Sequence, residues 1–424
     1  MERLLHYVWK YKLYAATPLI TTEGRPVQVI DPGMQNTDAG PDFFNAKIKI
    51  DGTLWVGSVE IHDKSSDWLL HHHDTDKAYD CVILHIIGFN DFQPVRTNGN
   101  PIPQMLLTVP ENILRSIDWL LYREAALPCL DHITGIAPLH IACWMEALLS
   151  ERLERKTHDI FLLLDAYQTD WNEVFYITLT RNFGFGVNND AFERLAKSLP
   201  LRCIQKQHSQ IEAMLFGQAG MLEEENDDHY YRLLQREYDF LRHKFGLSPM
   251  EDFVFKNLRT RPVNFPYLKV AQLAALWVRY DTLFSAILEA RSTGEIKKYF
   301  RIPPSGYWET HYHFRYASPR KEKTIGENAL NILLINTVVP MLFAYGLHNK
   351  RPEYCERATR LLESIPPEKN TIVTTFYNAG ITVRHAGDSQ GLIQIKHEYC
   401  EKKKCLYCRI GFRMLKTTIG QKSV

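Results

Sequence analysis

The sequence predicts an α+β protein in three parts. A mixed-sheet α/β domain spans residues 1–110, a large mainly helical domain spans 111–369, and a short cysteine-rich segment spans 370–424. Three observations carry that reading. Short β-branched runs separated by Gly, Pro and Asp fill the first part. Apolar residues spaced three and four apart dominate the middle. Cys400, Cys405 and Cys408 crowd the end. A chain of 424 residues suits two or three domains of about 100–200 residues each.

Taken in order, residues 2–11 read as a short amphipathic helix with Leu4, Leu5, Val8, Trp9 and Tyr11 as its apolar members. Strands are predicted over 27–30, 46–50, 54–61, 81–87 and 104–109. Turn signals at Asp31-Pro32-Gly33 and Gly40-Pro41-Asp42 lie between them, and Asp51-Gly52 suits a two-residue hairpin turn. Helices follow over 138–165, 171–183, 190–199, 204–216, 228–245, 270–288, 328–345 and 352–365. Short strands or extended pieces are expected over 371–376 and 392–395.

Composition excludes several classes. Lys plus Arg is 50 against 49 for Asp plus Glu, so no global basic excess marks a nucleic-acid binder. Residues 396–424 depart from that balance. Eight basic groups (Lys396, Lys402, Lys403, Lys404, Arg409, Arg413, Lys416 and Lys422) face Glu398 and Glu401, a net of +6. This tail is the expected contact for an acidic partner such as nucleic acid. Eight cysteines are too few for a disulfide scaffold. The start carries charges throughout, and the apolar run 332–347 is interrupted by Asn336 and Pro340. A cytoplasmic protein without a membrane span is therefore the expectation.

The stretch 40–85 carries the most chemistry. Asp42 follows a Gly-Pro turn just before a strand. Glu60 and His62 lie two apart near the end of the next strand, so they share a face. Two carboxylates on neighbouring strands suit Mg²⁺ or Mn²⁺. This layout resembles the PD-(D/E)xK nuclease-like fold, in which an Asp and a (D/E)xK triplet on adjacent strands hold the metal. Asp42 matches the first element and Glu60-Ile61-His62 the second, with His62 where the pattern has its lysine; Lys64 is the nearest lysine. The resemblance implies a metal-dependent nuclease or phosphodiesterase, with Asp42 and Glu60 on the metal and His62 or Lys64 assisting the attacking water. One alternative is a non-catalytic nucleic-acid-binding or scaffold protein on a degenerate nuclease fold.

Another alternative is a metalloenzyme acting on a small molecule. His62, His71, His72, His73 and His85 fall within 24 residues, beside Asp63, Asp67, Asp74, Asp76 and Asp80. That density suits a transition metal. The blander reading makes 71–73 a solvated loop and His85, inside an apolar run, a core histidine.

At the other end, C-x₄-C-x₂-C in a reduced compartment points to a metal before a disulfide. His397 as fourth ligand would give a Cys₃His zinc site. Cys129, in a loop-like stretch, is the remote candidate that would complete an iron–sulfur cluster. Cys81 and Cys143 read as core residues; Cys203 and Cys355 lie in helical stretches. In the middle, 256–266 is a basic loop that suits phosphate contact or helix capping. The stretch 308–316 interleaves aromatics with His311, His313 and Arg315, which suits single-strand stacking or an ordinary amphipathic strand.

The whole chain resembles the bacterial family known as domain of unknown function 2851. The stretches that carry the resemblance are AGPDFFNAKI, VEIHDKSSDW, HDTDKAYDCVILHI, RTRPVNFP and YCEKKKCLYCRIG. It implies a shared architecture and brings no activity with it.

Overall fold

Hairpin geometry sets the frame of the sheet. Strands β4 (Phe43–Ile50) and β5 (Thr53–Lys64) pair antiparallel from Phe43 opposite Val59 to Ile50 opposite Thr53. Asp51 and Gly52 join them with positive φ of 51° and 77°, the backbone a primed two-residue turn requires. In the computed structural model, residues 2–14, 18–36, 39–111, 113–114, 127–250, 255–257 and 261–420 are described. They form two compact units, residues 1–141 with 396–424, and residues 142–395. The units divide at 141 and 396, where the sequence suggested 110 and 369.

The first unit holds a mixed seven-stranded sheet. Its order is β1 (Leu19–Ile20), β2 (Pro26–Asp31), β4, β5, β6 (Val82–Phe89) and β7 (Gln104–Leu106), with β3 (Met34–Gln35) also paired to β4. Pairing is antiparallel from β1 to β5 and parallel across β5, β6 and β7. β4 alternates buried and exposed, as a strand with one wet face does. The second half of β5 and most of β6 are buried continuously, as strands covered on both faces are. Helix α1 (Glu2–Lys10) packs on β5 and β6 with Leu4, Leu5, Tyr7, Val8 and Trp9. The C-terminal helix Arg409–Gly420 lays Phe412 against Tyr11 at 4.6 Å and Tyr7 at 6.5 Å.

The second unit is helical around one apolar core. Phe216 stacks on Trp308 at 5.3 Å, with Phe314 edge-on to Phe216. The run Glu327–His348 is continuous and widens into a π-turn at Leu334–Val338. Pro340 cannot give the Asn336 carbonyl its α-helical donor; the Asn182 amide does so at 3.1 Å. This run is long and apolar enough to cross a membrane, but 67% of its most apolar window is buried within the protein.

Several element predictions need correction. The helix expected over 204–216 is two, Leu201–Gln205 and Ile211–Gln218, because residues 205–210 are all polar and offer no face to bury. The helix expected over 270–288 breaks at Tyr280 into Pro266–Arg279 and Leu283–Glu289. The strands expected over 371–376 and 392–395 are helices, Thr371–Asn378 and Ala386–Gln394. Five β-branched residues in 371–375 suggested a strand, but Asn370 caps the helix on the Val373 amide and Val373 and Phe376 bury one face.

Candidate metal centre

The centre grows from the register of the sheet. Asp42 immediately precedes β4, and Phe43 pairs with Val59, so Asp42 lies beside Glu60. The Asp42 amide donates to Glu60 Oε2 at 3.0 Å. The Ile61 amide donates to Asp42 Oδ2 at 2.9 Å. Glu60 and His62 are buried two apart on β5, and parallel pairing sets His85 of β6 opposite Glu60. Helix α2 (Asp67–Leu70) then turns the chain back. His71 closes it, His72 takes a positive φ of 59°, and His73 returns to the interior with its amide on the Trp68 carbonyl.

These backbone positions converge side chains on Glu60 Oε1. His73 Nε2 lies 3.2 Å from it and His62 Nε2 3.5 Å. His71 Nδ1 is 3.1 Å from His62 Nε2. Ligand nitrogens of His62, His71 and His73 all lie within 4.8 Å of one another. A tetrahedral ion with bonds of about 2.0–2.1 Å separates its ligand atoms by about 3.3 Å. The separations of 3.1 Å between His71 and His62, and of 3.2 and 3.5 Å from Glu60 to His73 and His62, lie close to that value. Trp68 is fully buried beside these rings, and Tyr79 stacks on His73 at 3.7 Å.

Second contacts fix the rings. His62 Nδ1 meets His85 Nε2 at 2.9 Å, and Gln104 of β7 stands opposite His85. On the other side His6 of α1 reaches Asp42 Oδ2 at 3.3 Å, with Glu2 3.9 Å from the same nitrogen.

The electrostatics follow from burial and crowding. Burial, then the neighbouring His85, His71 and His73, lowers the His62 pKa to about 2. Burial lowers His85 to about 3 against the support of Gln104. Glu60 is raised by burial and by Asp42, which outweigh His73. For His6, burial opposes the charge, but Asp42, Glu2 and Glu60 more than offset it and the pKa rises.

Of the residues expected at this site, Asp42, Glu60, His62, His71 and His73 come together, with His85 behind His62. His72 is exposed and turned by its own backbone. Lys64 sits at the exposed end of β5. The sequence reading missed Glu2, His6, Trp68, Tyr79 and Gln104. Only the helical i,i+4 spacing of Glu2 and His6 could have pointed to any of them.

At the C-terminus, His397 Nδ1 binds Glu401 Oε2 at 2.8 Å on the surface. Cys129 acts electrostatically on Cys400, together with Cys408 and Cys405. Cys81 and Cys143, expected in the core, are exposed. In the aromatic stretch 308–316, Trp308 and Phe314 are buried, His311 and His313 half-buried, and Arg315 and Tyr316 exposed. Trp308 donates to Glu212 at 2.6 Å, His311 stacks on Tyr307, and Arg315 pairs with Glu224. In the basic loop, Arg259 lies outside the described residues.

Residues 2–371 match the sequence family described as protein of unknown function, DUF2851. The chain belongs to the DUF2851 family. The family match takes in the whole candidate centre of this DUF2851 protein and Cys129, and ends before the three C-terminal cysteines. No curated protein matches it, and no solved structure matches it.

Proposed function

We propose that this DUF2851 protein is a metal-dependent phosphodiester hydrolase acting on nucleic acid. One observation carries the reading: the Asp42 and Glu60 carboxylates are interlocked across two strands, with His73 and His62 at 3.2 and 3.5 Å from Glu60 and His71 at 3.1 Å from His62. The donor set is rich in nitrogen, which favours Mn²⁺ or Zn²⁺ over the Mg²⁺ suggested by carboxylates alone. Glu60, His62, His71 and His73 would hold the ion, with Asp42 beside it. A bound ion would polarise a phosphoryl oxygen and lower the pKa of a water.

This chain's own residues do the remainder. The acid-shifted His85 is neutral, and in the tautomer protonated at Nδ1 its Nε2 accepts from His62 Nδ1–H. That leaves the His62 Nε2 lone pair facing the centre. His6, whose pKa is raised beside Asp42, would serve as the proton donor to a leaving alkoxide. Arg3, His6 and Lys10 line a cleft on the same unit, where backbone phosphates would find cations.

The test is cleavage of single- and double-stranded DNA and RNA by the purified full chain with Mn²⁺ or Zn²⁺. Glu60→Gln should lose activity by more than about 100-fold. Wild-type protein that binds nucleic acid but cleaves none, with either ion, would overturn hydrolysis in favour of a binding role. Turnover confined to small phosphate esters would favour the small-molecule reading.

A further inference from the structure

Three thiols come from one short stretch, and the fourth lies far away in sequence. Cys400 ends the helical turn Ile395–Cys400. The link 401–404 reverses the chain with Lys403 at a positive φ of 52°, its amide on the Cys400 carbonyl at 3.2 Å. Cys405 opens the turn Cys405–Tyr407, and the Cys408 amide closes it on the Cys405 carbonyl at 3.2 Å. Cys408 is buried, and Cys400 and Cys405 are half-buried. A Cβ on Gly411 would collide with the Cys405 carbonyl oxygen, so the glycine lets the C-terminal helix start tight against this turn.

The same helix packs on the short helix Pro128–Gly135, which carries Cys129. That packing brings the Cys129, Cys405 and Cys408 thiols into electrostatic reach of Cys400. None of the four is joined in a disulfide. His397 is turned to Glu401.

We propose that Cys129, Cys400, Cys405 and Cys408 form a four-thiolate zinc site that fastens the C-terminal segment to the Pro128–Gly135 helix within the first unit. The ligand set carries the assignment. Four sulfurs saturate a tetrahedral ion and leave no open position, as in structural rather than catalytic zinc sites. The turn Cys405–Tyr407 brings the two ends of the C-x₂-C pair together, as a pair sharing one ion requires. A zinc ion with four thiolates has a charge of −2. Lys396 and Lys403, whose charges act on Cys400 and Cys405, would offset it. Part of the basic tail thereby acquires a use separate from nucleic acid. The site's position also has a purpose: the chain leaves the first unit after residue 141 and returns at 396, so a bond between Cys129 and the returning segment closes that unit on itself.

The test uses the full chain with Glu60→Gln, which removes an anionic ligand of the other centre. Elemental analysis after dialysis against a mild chelator should find one zinc per chain. Cys405→Ser with Cys408→Ser should lower that to background, and Cys203→Ser should leave it unchanged. Cobalt exchanged into the protein should show thiolate-to-cobalt charge-transfer absorption that Cys129→Ser weakens, a signal that nitrogen and oxygen ligands do not give. Should the double variant fail to fold, mercurial titration of unmutated protein should release zinc in step with four thiols. Protein without metal whose thiols all react freely would overturn the proposal, as would zinc retained in the double variant. Iron with equimolar sulfide would overturn the zinc assignment.

Discussion

Asp42 and Glu60 lock each other in place: each carboxylate accepts a backbone amide from the other's strand, at 3.0 Å from Asp42 and 2.9 Å from Ile61. The arrangement holds two negative groups together in a poorly solvated spot, and the raised Glu60 pKa reports the cost. Such a site is organised for a cation at the expense of the metal-free fold.

Glu60→Gln should therefore act in opposite directions on two measurements. The amide keeps an oxygen for the Asp42 N–H and removes the buried charge, so the metal-free chain should gain stability in urea denaturation. Its affinity for Zn²⁺ or Mn²⁺ should fall by about 100-fold or more in calorimetric titration, because an anionic ligand has gone. A variant that loses both stability and affinity would mean that Glu60 serves the fold rather than the ion.

Acid should weaken the metal-free chain early. His62 and His85 have folded-state pKa values lowered to about 2 and about 3 from the usual 6.5. The unfolded chain therefore binds protons that the folded chain refuses, and stability falls as pH drops below about 6.5, by about 1.4 kcal/mol per pH unit for each such histidine. His85→Gln should flatten this limb relative to wild type in urea denaturation between neutral pH and about pH 5. An unchanged slope would show that His85 is accessible to solvent in the folded state.

Why some of this was legible in the sequence and some was not has a physical basis. The positions of Asp42, Glu60 and His62 were readable because a strand has a period of two and a Gly-Pro turn marks where β4 starts. His73 was ambiguous because the reversal at His72 depends on one positive φ, which no pattern announces. His6 and Gln104 were invisible, since only the packing of α1 on β5 and the β6–β7 register bring them in. In the helical unit, the misread segment 371–376 had strand propensity that a single cap and one buried face overrode.

A half-buried lysine marks the second unit. Lys156 donates to Asn336 Oδ1 at 2.8 Å in a cavity of about 540 Å³ that Arg152, Arg155 and Arg181 also line. Burial, then Arg152, lowers its pKa from 10.5 to about 7. The unfolded chain keeps its proton up to the ordinary value. Between about pH 7 and 10.5 the folded state thus binds fewer protons, and stability rises with pH. Lys156→Met should reduce that rise and stabilise the chain at neutral pH, as followed by urea denaturation. Loss of stability at neutral pH would show that the Asn336 contact outweighs the burial cost.

Among the described glycines of the helical unit, Gly217 leaves the least room for a side chain. It lies in the helix Ile211–Gln218, and a Cβ there would fall inside the ring of Tyr238 from the helix His229–Phe245. The two helices are pinned on either side of that contact. Tyr238 Oη donates to Gln218 Oε1 at 3.0 Å, and Gln218 Nε2 donates to the Ser248 carbonyl at 2.8 Å. Gly217→Ala would normally gain helix propensity of about 1 kcal/mol. Here the methyl must displace an anchored ring, so the net change should be a loss of about 1–3 kcal/mol in urea denaturation. Tyr238→Leu alone should also destabilise, by leaving a partly filled cavity and an unpaired Gln218. In the double variant the alanine methyl enters the space the ring vacates, so the combined loss should be smaller than the sum of the two. Additive losses would show that the strain is taken up by the backbone of the glycine helix and not by the tyrosine.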